Sequence, residues 1–271
     1  MSDTAIDLKD IERSIIKKYR PKLWGKFCKA VGDYDLIQDG DKIAICISGG
    51  KDSMILAKLM QEFQKHGHID FELEFLAMDP GFNEANRLTM ESNCKALGIP
   101  LKIFKTQIFE VSQKLAENPC YLCARMRRGA LYSEAQSLGC NKIALGHHFN
   151  DVIETTLLNV LYSGNYRTML PKLKAANYEN MELIRPMYHI EEQHIIAWRN
   201  FTGLDYMDCG CIVTSKNLPS KRKEVKKLIK NLKKDFKDVD KSIFRSASNV
   251  SVEAILGWNK DGNQHSFLDD Y

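Results

Sequence analysis

Lys42-Ile-Ala-Ile-Cys-Ile-Ser-Gly-Gly-Lys-Asp-Ser53 constrains the fold more than any other stretch of this 271-residue chain. Five consecutive apolar residues, Ile43, Ala44, Ile45, Cys46 and Ile47, predict a short, fully buried strand. Ser48, Gly49 and Gly50 then break the run, and their small side chains let the backbone turn tightly and approach a bound group. After Lys51, Asp52 and Ser53, apolar residues Met54, Ile55, Leu56, Leu59, Met60 and Phe63 fall at the spacing of a helix's buried side. A helix that opens at a glycine turn aims free N–H groups and its positive dipole end into that turn. Lys51 adds a full charge, so phosphate is the natural occupant. The two glycines alone would mean only a strand–turn–helix junction with a serine cap. The stretch is not a Walker A loop, because Ile45 stands where that motif's first glycine belongs.

The rest of the chain continues the alternation of strand and helix. Strands are predicted over 71–78, 101–105 and 142–146, and helices over 86–97, 122–138 and 152–162, with a loop at Asp79-Pro80-Gly81. Such a pattern implies right-handed crossovers and a doubly wound parallel sheet, whose ligands bind beyond the strand C-terminal ends. The loops at 48–53, 78–81 and 146–151 are therefore expected on one rim. A helix broken at Pro21 is expected over 7–31. Beyond Gly164 the pattern weakens: 163–176 reads as a loop carrying Arg167, Lys172 and Lys174, 181–184 as a short strand and 191–201 as a helix. The polar tail, 257–271, is expected to be loosely ordered. We expect a helical segment over 1–40, an α/β domain over 41–210 and a basic helical region over 211–271.

Charged residues at 27% and hydrophobic ones at 44% describe an ordinary soluble protein. No apolar run approaches the roughly 18 residues that span a bilayer, and no basic segment leads into an apolar core at the N-terminus, so no membrane association is expected. Eight cysteines without a secretion signal point to reduced thiols and the cytoplasm. Cys28, Cys46, Cys94 and Cys140 are isolated and read as core filler. Cys120, Cys123, Cys209 and Cys211 form two close pairs, and three chemistries compete for them. Cys-x-x-Cys at a helix start suits a redox dithiol, four thiolates suit zinc, and three or four suit an iron–sulfur cluster. Charge is unevenly spread: residues 216–241 hold eleven Lys or Arg against four Asp or Glu, a local +7 in a chain of net +4. Val225, Leu228, Ile229, Leu232, Phe236 and Val239 give that stretch one apolar face, leaving a cationic face suited to a polyanion. A solvated surface helix is the simpler alternative.

Four motifs carry a resemblance over about residues 40–235. Ser-Gly-Gly-Lys-Asp-Ser after a buried strand looks like the pyrophosphate loop of the N-type ATP pyrophosphatases, of the adenine nucleotide alpha hydrolase-like fold. Cys120-Tyr-Leu-Cys-Ala-Arg-Met-Arg-Arg-Gly, then Gly146-His-His-Phe-Asn-Asp151, then Ile184-Arg-Pro-Met-Tyr188, are similar in order and spacing to the tRNA 2-thiocytidine synthetases. The resemblance implies ATP and Mg²⁺ at Ser48, Gly49, Gly50, Lys51, Asp52 and Ser53, with Met78, Gly146 and His147 completing the nucleotide pocket. It implies catalytic roles for Asp52, Asp151, Cys120 and Cys123. It implies a 4Fe–4S cluster on Cys120, Cys123 and Cys209, with one iron left open. Cys211 is the alternative third ligand, because the family carries Cys-x-x-Cys where this chain has Cys-Gly-Cys. It also has Asn150 where relatives often have a second acid. Arg125, Arg127 and Arg128 would balance cluster charge or steer RNA, and Lys226, Lys230 and Lys233 would contact tRNA. The implied reaction adenylates a cytosine C2 carbonyl, at position 32, and replaces its oxygen with sulfur. The implied partners are tRNA, a sulfur donor such as a cysteine desulfurase or free sulfide, and a second copy of the chain. Alternatives are thiolation of a uridine, a lysidine-type tRNA ligase, and a zinc-stabilised RNA-binding module.

Overall fold

Strand pleating sends alternate side chains to opposite faces, and the first strand shows what each face meets. A computed structural model describes residues 6–79, 81–106, 119–207 and 221–271, with only the backbone for 119–125. Strand β1 (Asp41–Cys46) turns Ile43 and Ile45 into a large core with Ile47. That core also holds Ile11 and Ile15 of α1 (Leu8–Ile16), Trp24 and Phe27 of α2 (Trp24–Asp33), and Met54 and Leu59 of α3 (Lys51–His66). The opposite face carries the smaller Ala44 and Cys46, packed with Tyr132 and Ala135 of α5 (Pro119–Ser137). Helices thus cover both faces, as a doubly wound sheet requires.

The remaining sheet strands are β2 (Phe71–Asp79), β3 (Leu101–Lys105), β4 (Lys142–Ala144), β5 (Lys172–Lys174) and β6 (Glu182–Ile184). Helix α4 (Glu84–Ala96) joins β2 to β3, α6 (Phe149–Ser163) follows β4, and α7 (Glu192–Thr202) follows β6. The strand order is β3-β2-β1-β4-β6-β5. Every pairing is parallel except β5 with β6. Chain direction across the sheet reverses at β1, whose neighbours are β2 and β4, so the crevice between the ends of β1 and β4 is the topological switch point.

The chain divides into two compact units, one of Met1–Asp151 with Leu170–Leu218 and one of Val152–Met169 with Pro219–Tyr271. These boundaries differ from the expected breaks after residues 40 and 210. The N-terminal helices belong to the main core because Ile11, Leu23 and Phe27 are buried there, while most of α6 groups with the basic C-terminal region. Three expectations of local structure need correction. The predicted loop over 163–176 contains β5, whose Lys-Leu-Lys is too short to show a period. The basic stretch does not present one continuous apolar face: α8 (Lys221–Asp235) ends before α9 (Val239–Ser246), and Leu228 and Phe236 are exposed while Val225 and Ile229 are buried. The tail folds into a hairpin, β7 (Gly257–Lys260) and β8 (Asn263–Ser266). Asp261 and Gly262 form its two-residue turn with φ of 52° and 83°, the type I′ geometry that Asp-Gly favours.

At the N-terminal edge of the sheet, Lys142 Nζ donates to Asp41 Oδ2 at 2.6 Å and to Leu36 O at 3.1 Å, with both charged side chains buried. Removing one partner of such a pair leaves an uncompensated charge. Asp41→Ala should cost about 3 kcal/mol, the low end of the usual 3–5 kcal/mol range, because Glu182 stays 3.7 Å from Lys142. Urea midpoints of wild type and variant check this.

Candidate active site

The turn after β1 is built to hold an anion. Gly49 has φ of 83°, and a Cβ there would stand 2.5 Å from Met207 Sδ, so the position takes only glycine without rearrangement. Ser53 Oγ closes the turn, accepting from Ser48 N at 3.1 Å and donating to Gly50 O at 2.9 Å. Gly50 is the N-cap of α3 and brings no side chain to the helix end, so the first-turn N–H groups point outward unclaimed by any cap. Lys51 Nζ lies 3.0 Å from Asp52 Oδ2 and 3.4 Å from Glu192 Oε1. Burial works against its charge, but the two carboxylates outweigh burial and raise its pKa, so Lys51 is held protonated. Among the described residues, Asp52 Oδ1 is buried with no hydrogen-bond partner, 3.8 Å from His148 Nε2.

The opposite wall comes from the loop after β4. Gly146 approaches the first turn of α3 so closely that a Cβ would stand 3.0 Å from the Asp52 carbonyl carbon and 3.2 Å from Ser53 N. Gly146→Ala must therefore push backbone against backbone. We expect at least a tenfold loss of ATP affinity and a stability loss of about 1–3 kcal/mol, read by calorimetric titration and thermal melts. Asp151 Oδ2 accepts from His148 N at 2.9 Å and lies 3.4 Å from His148 Nδ1. His147 Nδ1 accepts from Arg185 Nε at 3.3 Å, which places the proton of a neutral imidazole on Nε2. Arg185 is buried, also donates to Leu170 O, and has its pKa pushed down to about 10 by that burial. Asn150 Oδ1 accepts from Glu192 N at 2.9 Å, supplying the cap that Glu191, the N-cap of α7, does not. The residue standing where relatives often have an acid thus has a structural task that an amide performs.

Residues 48–53, Gly146, His147, His148 and Asp151 share the rim at the switch point, as expected. Met78 is the penultimate residue of β2, and Asp79 beside it accepts from Gly81 N and Phe82 N, both at 2.8 Å. Glu192 was not anticipated: nothing in local spacing marks a carboxylate 141 residues from Lys51 as its partner. A nucleotide triphosphate fits this site, since the glycine turn, the uncapped helix and Lys51 converge. Asp52 Oδ1, which no hydrogen bond claims among the described residues, is the hard oxygen donor that Mg²⁺ takes.

Cys120 and Cys123 lie in the first turns of α5, which begins at Pro119. Arg127 follows them by seven and four residues, on the same helix face. Its Nε and Nη2 are buried and, among the described residues, have no hydrogen-bond partner, the situation expected of a guanidinium awaiting an anionic neighbour such as a thiolate-bound iron–sulfur group. Residues 208–220, with Cys209 and Cys211, lie outside the described residues, as does the side chain of Arg125. The chain enters that segment from Met207, whose N–H donates to Gly49 O at 3.3 Å. The other four cysteines are core filler as expected: burial pushes Cys46 and Cys94 up to about 12 and Cys140 to about 11, and Cys28 is also raised by burial. In the second unit, Lys226, Lys230 and Lys233 are all exposed, and Lys233 pairs with Asp240 of α9. No helix among the described residues is long and apolar enough to cross a membrane.

The PP-loop domain family (ATP_bind_3) matches residues 20–210. The tRNA-cytidine(32) 2-sulfurtransferase of Syntrophotalea carbinolica is 36% identical over 249 residues, spanning 91% of this chain and 94% of the relative. The enzyme of the same name from Pseudomonas fluorescens is 36% identical over 237 residues, spanning 85% of this chain and 84% of its own. Among solved structures, the U34-tRNA thiolase NcsA from Methanococcus maripaludis, with its 4Fe–4S cluster, superposes with a TM-score of 0.67 at 25% identity, covering 93% of this chain and 81% of that one. The chain therefore belongs to the PP-loop family, in the branch of the tRNA-cytidine(32) 2-sulfurtransferases.

Proposed function

We propose that the chain is an ATP-dependent tRNA sulfurtransferase that replaces O2 of cytidine 32 with sulfur. The observation that carries this reading is the convergence, at one switch point, of the phosphate turn at residues 48–53 with a buried Asp52 oxygen that no hydrogen bond claims among the described residues. ATP binds with its phosphates on the first-turn N–H groups of α3 and on Lys51. The cytosine O2 attacks the α-phosphorus, the bond to the β-phosphate oxygen breaks, and pyrophosphate leaves. Adenylation is needed because a carbonyl oxygen is otherwise a very poor leaving group. Sulfur then attacks C2 and AMP departs with the former O2. A 4Fe–4S cluster on Cys120, Cys123 and Cys209, when bound, supplies sulfide-level sulfur to that second step. Arg127 balances negative charge at the cysteine face, and Asp151 holds His148 against Asp52.

Cytidine is favoured over uridine because the cytidine-modifying relatives are 36% identical and the uridine-modifying thiolase 25%. A lysidine-type ligase has no use for a cysteine pair beside an unpartnered arginine, and a zinc module has no use for the intact phosphate turn. The reading extends to a cytoplasmic homodimer supplied by a cysteine desulfurase or by free sulfide. The test is anaerobic incubation of the cluster-loaded protein with unmodified tRNA, ATP and sulfide, followed by nucleoside mass spectrometry. Appearance of 2-thiocytidine supports the reading; thiouridine alone, or no thionucleoside, overturns it.

A further inference from the structure

A cavity of about 620 Å³ lies between α5 and the β5–β6 hairpin, within the first unit. Its volume falls in the roughly 300–1,000 Å³ range of small-ligand sites. It runs from Arg185, which follows β6 at the rim, to Asn177 in the turn preceding that strand. Met126, Arg128 and Tyr132 form the α5 wall, and Lys174 stands on the other side. Three of the lining residues are cationic and none is a carboxylate. Arg128 and Lys174 are exposed, and among the described residues neither has a hydrogen-bond or ion-pair partner. Lys172, two positions earlier, contrasts with them: it donates to Asp35 O at 2.9 Å and pairs with Glu182 at 3.4 Å. Arg128 also disfavours the charge of Arg185, a repulsion that a bound anion would relieve.

The tyrosines argue against a base stacked deep inside. Tyr132 and Tyr178 already stack on each other, 5.0 Å between centroids, and Tyr178 OH donates to Gly129 O at 2.8 Å. The cavity thus offers cationic tips at its mouth rather than an aromatic slot. Its wall begins at Met126, three residues along the helix from Cys123, a rise of about 4.5 Å. A strand whose target base sits at the cysteine end of α5 has its adjoining nucleotide within reach of the cavity.

We propose that this cavity is an RNA subsite that takes the nucleotide adjoining the modified base, with Arg128 and Lys174 on its phosphate. The proposal rests on the tRNA-modifying reading above and assigns it a place on the surface. In the full-length, cluster-loaded protein, Arg128→Ala combined with Lys174→Ala should weaken tRNA binding about tenfold at moderate salt. The slope of log Kd against log salt should shrink by roughly 1.4, two single-strand phosphate contacts at about 0.7 each. ATP affinity and thermal melting should stay at wild-type values. A photo-crosslinking residue at position 174 should label a nucleotide next to the thiolated one, and excess inorganic phosphate or cytidine monophosphate should not protect it. An unchanged tRNA slope overturns the subsite, and so does full protection by either small anion, which would assign the cavity to a free metabolite. The two readings fail separately. Normal thiolation with unchanged tRNA binding in the double variant removes only the subsite, whereas a wild type that binds tRNA through these residues without making a thionucleoside removes only the reaction.

Discussion

Replacing Lys51 with alanine is expected to lower tRNA-dependent pyrophosphate release about 10²–10³-fold, the range for removing one preorganised charge stabiliser. The reason lies in the company Lys51 keeps. Asp52 and Glu192 stand 3.0 and 3.4 Å from its ammonium, so the alanine variant removes the one positive charge set between these two carboxylates and leaves the pocket more negative. Triphosphate then meets repulsion in addition to a missing partner. Lys51→Arg should recover part of the affinity, because it restores charge with a different shape. Pyrophosphate release and ATP affinity of the alanine variant equal to wild type would remove the phosphate turn from the mechanism.

The phosphate turn was legible in the sequence because every part of it is local. Strand, glycines, lysine and amphipathic helix follow one another within about two dozen residues, and each has its own periodicity or backbone requirement. The rim at Gly146 was legible only through its position after a predicted strand. Glu192 and the capping role of Asn150 were not legible, since both depend on α7 docking against loops more than forty residues away in the chain. β5 escaped because three residues, Lys172, Leu173 and Lys174, are too few for a period. The C-terminal hairpin was a different kind of miss: Asp261-Gly262 is a turn signal between two four-residue strands, outweighed by the polarity of the tail.

The cysteines give the second large effect. Cys120→Ser, Cys123→Ser and Cys209→Ser should each abolish cluster assembly, with iron and sulfide content near background, and should reduce thiolation at least 100-fold. Cys211→Ser should retain the cluster, because two thiolates separated by a single glycine do not comfortably reach one iron and a three-ligand site leaves an iron free. ATP affinity should be unchanged in all four, since the phosphate turn draws on none of these thiols. Arg127→Ala should assemble a less stable cluster, because this guanidinium on the cysteine face, without a hydrogen-bond partner for Nε and Nη2 among the described residues, is the positive charge nearest in sequence to Cys123 that lies on its own face. Anaerobic iron and sulfide analysis with the visible absorption of each variant reads these outcomes. Loss of the cluster from Cys211→Ser with retention in Cys209→Ser would reassign the third ligand. Stoichiometric zinc without iron in anaerobic wild type would remove cluster-borne sulfur from the account.

The central claim is that the base oxygen leaves on phosphorus, and oxygen tracing tests it most directly. tRNA carrying ¹⁸O at C2 of cytidine 32 is converted anaerobically by the cluster-loaded protein with ATP and sulfide, and the products are weighed by mass spectrometry. The account predicts that each 2-thiocytidine formed is matched by one AMP two mass units heavy, with unlabelled pyrophosphate. Thionucleoside formed with unlabelled AMP and the ¹⁸O recovered in water would contradict it.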